Sequence, residues 1–288
     1  MRKNFWFGLC VGVFIAAVIA WCWAMPVDQK NTVLQKETAY ERVMRTNTLR
    51  CGYFSWYPAF LKDPKTGKLG GIFYDYMEIL ASNLHLKLEW VEEVGLGDYP
   101  AALESGRIDA MCSSVFVTAE RSRANSFITP AYYLPLHAYA RVDDERFDHF
   151  SIAAFNKPDY KLAILEGGVT SIIRRQFFPE TKPYELPQLT NPAELFTTLA
   201  MGKADFLLYD LFTFQEFNRH NPGQLKRVTA QPIKVFPLAV AVGKNDYALW
   251  QMLSTATMDM HLAGTMDQIL QKYETHPGTL IRMTMPYE

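Results

Sequence analysis

Arg121 sits at the third position after Thr118 in the run Thr118-Ala-Glu-Arg121, and Thr118 reads as the N-cap of a short helix through Ala124. A cation in a first helical turn opposes the helix dipole. A bound carboxylate, gripped by the guanidinium fork, would compensate it. Asp210 follows the strand-like run Phe206-Leu-Leu-Tyr209, so it should project from a strand's carboxyl end. It is equally suited to cap the helix that starts at Leu211, and the two roles are compatible. Ser113 and Ser114 follow another apolar strand and offer hydroxyl and backbone donors, or simply make a turn. Gly167, Gly168 and Thr170 open a helix whose first N–H groups suit an anion. Trp56 and Tyr57 can wall a mostly apolar pocket, although core packing is the usual fate of such rings.

The elements that must position these groups repeat a simple pattern. Short apolar strands alternate with helices of 3.6-residue periodicity. The first block reads strand 49–54, helix 72–84, strand 87–91, short helix 99–105 and strand 108–115. The second reads strand 161–165, helix 170–178, helix 191–201, strand 205–209 and helix 211–218. Strand 235–242 and helices 249–261 and 265–273 close the chain. Two such blocks predict two α/β lobes with mostly parallel sheets. The extended stretches Tyr132–Ala140 and Val235–Val242 read as two crossovers that form a hinge.

Composition narrows the classes. The chain has 288 residues, 29 Lys and Arg against 30 Asp and Glu, and 49% hydrophobic residues. A disordered chain is excluded, and the balanced charge argues against a nucleic-acid partner. The six histidines show no metal-ligand spacing, so neither a metal nor a cofactor is expected. Residues 1–25 differ from the rest: Arg2 and Lys3 precede an uncharged run, Phe5–Trp23, of 19 residues. That length suits a membrane anchor, or a long signal peptide with a poor cleavage context. Either one places residues 25–288 outside the cytoplasm, in the periplasm or its equivalent, with attachment to the inner membrane through the N-terminal helix if it is uncleaved. Export permits a disulfide, but Cys51 and Cys112 read first as two small buried hydrophobes.

Several stretches together resemble the periplasmic solute-binding proteins of the polar amino-acid type, the substrate-binding components of ABC importers (solute-binding protein family 3). They are Leu49-Arg-Cys-Gly with Trp56-Tyr-Pro-Ala-Phe60, Lys65-Thr-Gly-Lys-Leu-Gly-Gly71, and Tyr99-Pro-Ala-Ala-Leu-Glu-Ser-Gly-Arg-Ile-Asp-Ala110. Ser113-Ser114 through Thr118-Ala-Glu-Arg121, Pro130-Ala-Tyr132 and Gly202-Lys-Ala-Asp205 complete the set. The resemblance implies a type II periplasmic-binding-protein clamshell. Its expected parts are a linker or loose helix at 26–46, lobe 1 at 47–134 and 238–280, lobe 2 at 135–237, and a tail at 281–288. It implies that Arg121 grips a ligand α-carboxylate and that Asp210, five residues after Asp205, meets an α-ammonium. Ser113, Ser114, Gly168 and Thr170 would assist, and Trp56, Tyr57, Leu96 and Phe116 would wall the side chain. The implied partners are a small amino acid or carboxylate and an ABC transporter permease. The chain departs from the family pattern at Phe54, Ile72, Phe116 and Val169, which predicts a more apolar pocket than in binders of basic amino acids. Two other readings share the fold: a membrane-tethered sensing domain, and a cyclohexadienyl-dehydratase-like enzyme with Glu166 as general acid.

Overall fold

The computed structural model describes residues 37–149 and 151–283. Its backbone is one continuous sheet. The principal strands are β1 (Thr48–Tyr53), β2 (Lys87–Glu93), β3 (Ala110–Phe116), β4 (Tyr132–Arg141), β5 (Lys161–Leu165), β6 (Lys182–Leu186), β7 (Phe206–Asp210) and β8 (Lys234–Gly243). Their order is β2-β1-β3-β8-β4-β7-β5-β6. β2, β1 and β3 are parallel and form the heart of the first lobe. β7, β5 and β6 are parallel and form that of the second. The expected crossovers are β4 and β8, which pair antiparallel with each other from Lys234↔Leu136 to Leu238↔Tyr132. The fold is the two-lobed clamshell expected, with the hinge built as a hydrogen-bonded ribbon.

Apolar side chains explain the layering. β3 is buried at every position, as a central strand covered on both faces must be. Helix α2 (Ile72–Asn83) buries Ile72, Phe73, Tyr76, Met77 and Leu80, the 3.6-residue stripe legible in the sequence. Strand β6 lies at the edge of the sheet and is absent from the sequence reading. It has Pro183 in its interior, its Lys182, Pro183 and Glu185 side chains are exposed and none is fully buried, so it offers no core-facing signal.

Three expectations need correction or refinement. Within the stretch read as a linker or loose helix, residues 39–46 take the helical form: α1 (Ala39–Thr46) carries a capping box between Thr38 and Glu41 and buries Val43. The backbone N–H of Tyr40 donates to Asp246 at 3.1 Å, which docks the helix on the fold. Thr118–Ala124 is not an α-helix but a single 3-10 turn, Arg121–Arg123. The tail begins with a paired residue, since Ile281 and Tyr133 exchange both backbone hydrogen bonds. The segment Phe5–Trp23 lies outside the described residues; among those described, no helix is long and apolar enough to cross a membrane.

The repeated Gly-Arg/Lys-x-Asp phrase has the same structural task in each lobe. Asp109 accepts the backbone N–H of Arg50 at 2.7 Å, and Asp205 that of Lys161 at 2.8 Å. Each carboxylate thus holds the entry of a central strand. Asp109 is 1% exposed and also ion-pairs with Arg42 and Arg50. Both arginines reach partial solvent, which discounts the loss if their partner is removed. Asp109→Asn is expected to lower the unfolding free energy by about 2 kcal/mol, read from the urea midpoint.

Candidate functional site

The carboxyl ends of parallel strands from both lobes converge on one cavity, where open α/β sheets place their ligands. Phe54 follows β1, Ser114 and Phe116 end β3, Leu165 ends β5, and Tyr209 and Asp210 end β7; all of them line it. Gly168 and Thr170 approach from the start of helix α3 (Val169–Phe177). Trp56 and Leu96 close the first-lobe side. The cavity is partly open, with a volume of about 20 Å³, room for roughly one water.

Asp210 is 1% exposed and caps helix α4 (Leu211–His220). Its Oδ1 accepts the Thr213 N–H at 2.8 Å and its Oδ2 the Thr213 hydroxyl at 2.7 Å. The cap role foreseen from sequence is present, and the same carboxylate faces the cavity. Burial pushes its pKa up to about 6, against the lowering effect of the Thr213 donors. Ser114 Oγ is buried and has no hydrogen-bond partner. Ser113 does not join it: its hydroxyl donates to the Phe54 carbonyl at 3.0 Å, a bond internal to the first lobe.

Arg121 is buried at 9% exposure. Its Nη1 donates to the Phe116 carbonyl at 3.2 Å and its Nη2 to the Gly167 carbonyl at 2.8 Å. Among the described residues it forms no ion pair. Arg121 is not among the residues lining the cavity; its guanidinium spans from the Phe116 carbonyl, at the cavity wall, to the Gly167 carbonyl next to lining residue Gly168. Burial lowers its pKa from the usual arginine value, yet a guanidinium stays protonated in proteins.

Tyr57 is not in this cavity. It is 44% exposed, packs edge-on against Phe212 at 5.6 Å, and lines a separate open groove of about 720 Å³. Trp56 fills the inward position instead, stacked on Phe116 at 5.4 Å. Glu166, the candidate general acid, is exposed and is not among the residues lining the cavity. Leu136, Leu165 and Tyr209 are lining residues that sequence reading missed. Leu136 faces Asp210 across the β7–β4 register, which composition and periodicity do not disclose.

The lobes touch across the cleft. Besides Arg121–Gly167, Arg175 pairs with Glu120 at 2.6 Å, the Gly97 N–H donates to Gln188 at 2.9 Å, and Trp56 Nε1 reaches the Thr213 hydroxyl at 3.4 Å. Gly167 has φ +71°, and a Cβ there would lie 2.5 Å from the Gly97 nitrogen. Only glycine allows so close an approach.

Residues 49–276 match the model of the bacterial extracellular solute-binding proteins, family 3. The chain is 25% identical over 219 residues to the glutamine-binding protein of an ABC transporter in Bacillus subtilis, covering 74% of this chain and 76% of that one. It is 26% identical over 235 residues to an L-arginine-binding protein of Pseudomonas aeruginosa, covering 78% and 87%. Among solved structures, an ancestral amino acid-binding protein, a precursor of cyclohexadienyl dehydratase, superposes with a TM-score of 0.70 at 26% identity, covering 82% and 99%.

Proposed function

The chain belongs to family 3 of the bacterial extracellular solute-binding proteins, and from that premise we propose that it captures an amino acid outside the cytoplasm for an ABC-type importer. The observation that carries the proposal is Arg121, a buried cation without a carboxylate partner among the described residues. A buried charge is costly until it is paired. A ligand α-carboxylate would pair it, with the unpartnered Ser114 hydroxyl and the first N–H groups of α3 beside it. Asp210 then faces the α-ammonium from the second lobe, so a zwitterion bridges lobe 1 (47–134 and 238–280) and lobe 2 (135–237). The names of the relatives support both the amino-acid ligand and the ABC permease as partner.

Protonation of Asp210 gives a test with a definite sign. Its carboxyl titrates near 6 in the fold, above the ordinary 3.8. Below that value it is neutral and no longer attracts an ammonium. Affinity for an amino acid should therefore fall as pH drops through ~6, by up to about tenfold per unit. Without ligand the sign reverses. Between 3.8 and about 6 the fold keeps a proton that the unfolded chain releases, so apo stability falls as pH rises through that window. Isothermal titration of the full chain with amino acids and their des-amino counterparts, on both sides of pH ~6, measures the binding effect. Asp210→Asn should flatten the profile, and the des-amino acids should bind weakly without the slope. A panel of amino acids that gives no heat and no thermal shift at either pH would sink the proposal.

A further inference from the structure

The walls of the cavity restrict what the captured amino acid can carry as a side chain. Phe54, Trp56, Phe116, Leu136, Leu165 and Val169 are apolar. The one carboxylate among the lining residues is Asp210, which already accepts two bonds from Thr213 and faces the α-ammonium. No lysine, arginine or histidine lines the space, and the nearby Arg121 is taken by the α-carboxylate. A second ligand charge, of either sign, would be buried without a partner.

Size acts in the same direction. The space is about 20 Å³, so any amino acid parts the lobes somewhat, and each added methylene parts them further. The short cross-cleft contacts, Arg121–Gly167 at 2.8 Å and Gly97–Gln188 at 2.9 Å, are then strained or lost. A short side chain preserves most of them. One residue sets the boundary. Trp56 lines both the small cavity and the open groove of about 720 Å³. It is held between them by the Phe116 stack at 5.4 Å and an edge contact with Tyr209 at 5.9 Å.

Resting on the amino-acid reading above, we propose that the pocket selects short, uncharged side chains, of the size of alanine, serine, cysteine or valine, and that Trp56 is the residue that excludes longer ones. Lobe closure is the selecting event: the short ligand is enclosed, and the longer one meets the indole.

Isothermal titration of the full chain with three sets of amino acids tests this: alanine, serine, cysteine and valine; leucine, methionine and phenylalanine; and arginine, lysine and glutamate. The first set is expected to bind tightest, and the charged set about 100-fold or more weaker. Trp56→Ala joins the cavity to the groove and should raise affinity for leucine, methionine and phenylalanine, while the charged set stays weak. Phe116→Ala, which removes the ring that props the indole, serves as a second variant should Trp56→Ala fold poorly. Arginine, lysine or glutamate binding as tightly as alanine overturns the proposal and leaves the amino-acid reading standing. A wild-type preference for leucine or phenylalanine over alanine does the same. If a folded Trp56→Ala and a folded Phe116→Ala both keep the wild-type ranking, Trp56 is not the boundary. Silence from all three sets overturns the amino-acid reading itself, and this proposal with it.

Discussion

Arg121→Ala is expected to weaken amino-acid binding by roughly 30-fold to several thousand-fold, the usual result of removing one member of a desolvated charge pair. The ligand carboxylate would be left in an apolar cavity with only the Ser114 hydroxyl and the α3 amides. Arg121→Lys should also lose affinity, because a single ammonium cannot hold a carboxylate while donating to the Phe116 and Gly167 carbonyls in the arginine's geometry. Calorimetric titration with a verified ligand measures both. The ligand-free protein provides an independent readout. Removing a buried cation that lacks an ionic partner need not cost stability, so the apo Arg121→Ala protein should melt near the wild-type temperature. A large drop in apo stability together with unchanged affinity would make Arg121 a structural brace between the lobes.

The second large effect concerns Cys51 and Cys112, which the structure joins in a disulfide with Cα atoms 5.3 Å apart. Cys51 lies on β1 and Cys112 on the neighbouring β3, and both side chains are fully buried. The sequence separation is 61 residues. Closing a loop of that size in the unfolded chain is worth about 4 kcal/mol in the chain-entropy account. The double substitution Cys51→Ala with Cys112→Ala is expected to lower stability by about that amount, read from urea unfolding. Equal urea midpoints for the wild type with and without reductant would exclude a stabilising bond.

The pair also marks a limit of sequence reading. Each cysteine stands in an apolar run, and free cysteine is itself commonly buried, so two buried hydrophobes were the expected outcome. Only the β1–β3 register brings the sulfurs together. The same distinction runs through the site. Asp210 was legible as a carboxylate directly after an apolar strand and at a helix start, whereas the helical turn that singled out Arg121 is only a 3-10 turn. Phe54, Phe116 and Val169 were legible as apolar residues at positions where a polar one is common. Tyr57 and Trp56 are adjacent, and nothing in their types tells which ring turns inward. Of the two, Trp56 lines the cavity and Tyr57 only the open groove. Ser113 and Ser114 divide in the same way. Neighbours along a strand point to opposite faces, so one hydroxyl stays with the first-lobe backbone and the other reaches the cavity. The alternation of strands and helices was legible almost throughout. The exceptions include the edge strand β6, the short elements Asn125–Phe127, Ile152–Phe155 and Leu225–Arg227, and the expected helix at 118–124, which is only a 3-10 turn.

The pairing of β4 with β8 bears on the order in which the protein can be assembled. β8 lies between β3 and β4, yet it is made last of all the strands. Until Lys234–Gly243 leaves the ribosome, β3 has no neighbour on that side. On β4 the stretch 132–136 likewise lacks its partner, although Leu225–Arg227 already pairs with residues 139–141, and the sheet exists as two unfinished halves. Unpaired edges of this kind invite pairing with other chains. Neither half can complete itself early, so the nascent chain stays unlocked and in need of protection until nearly its whole length is synthesised.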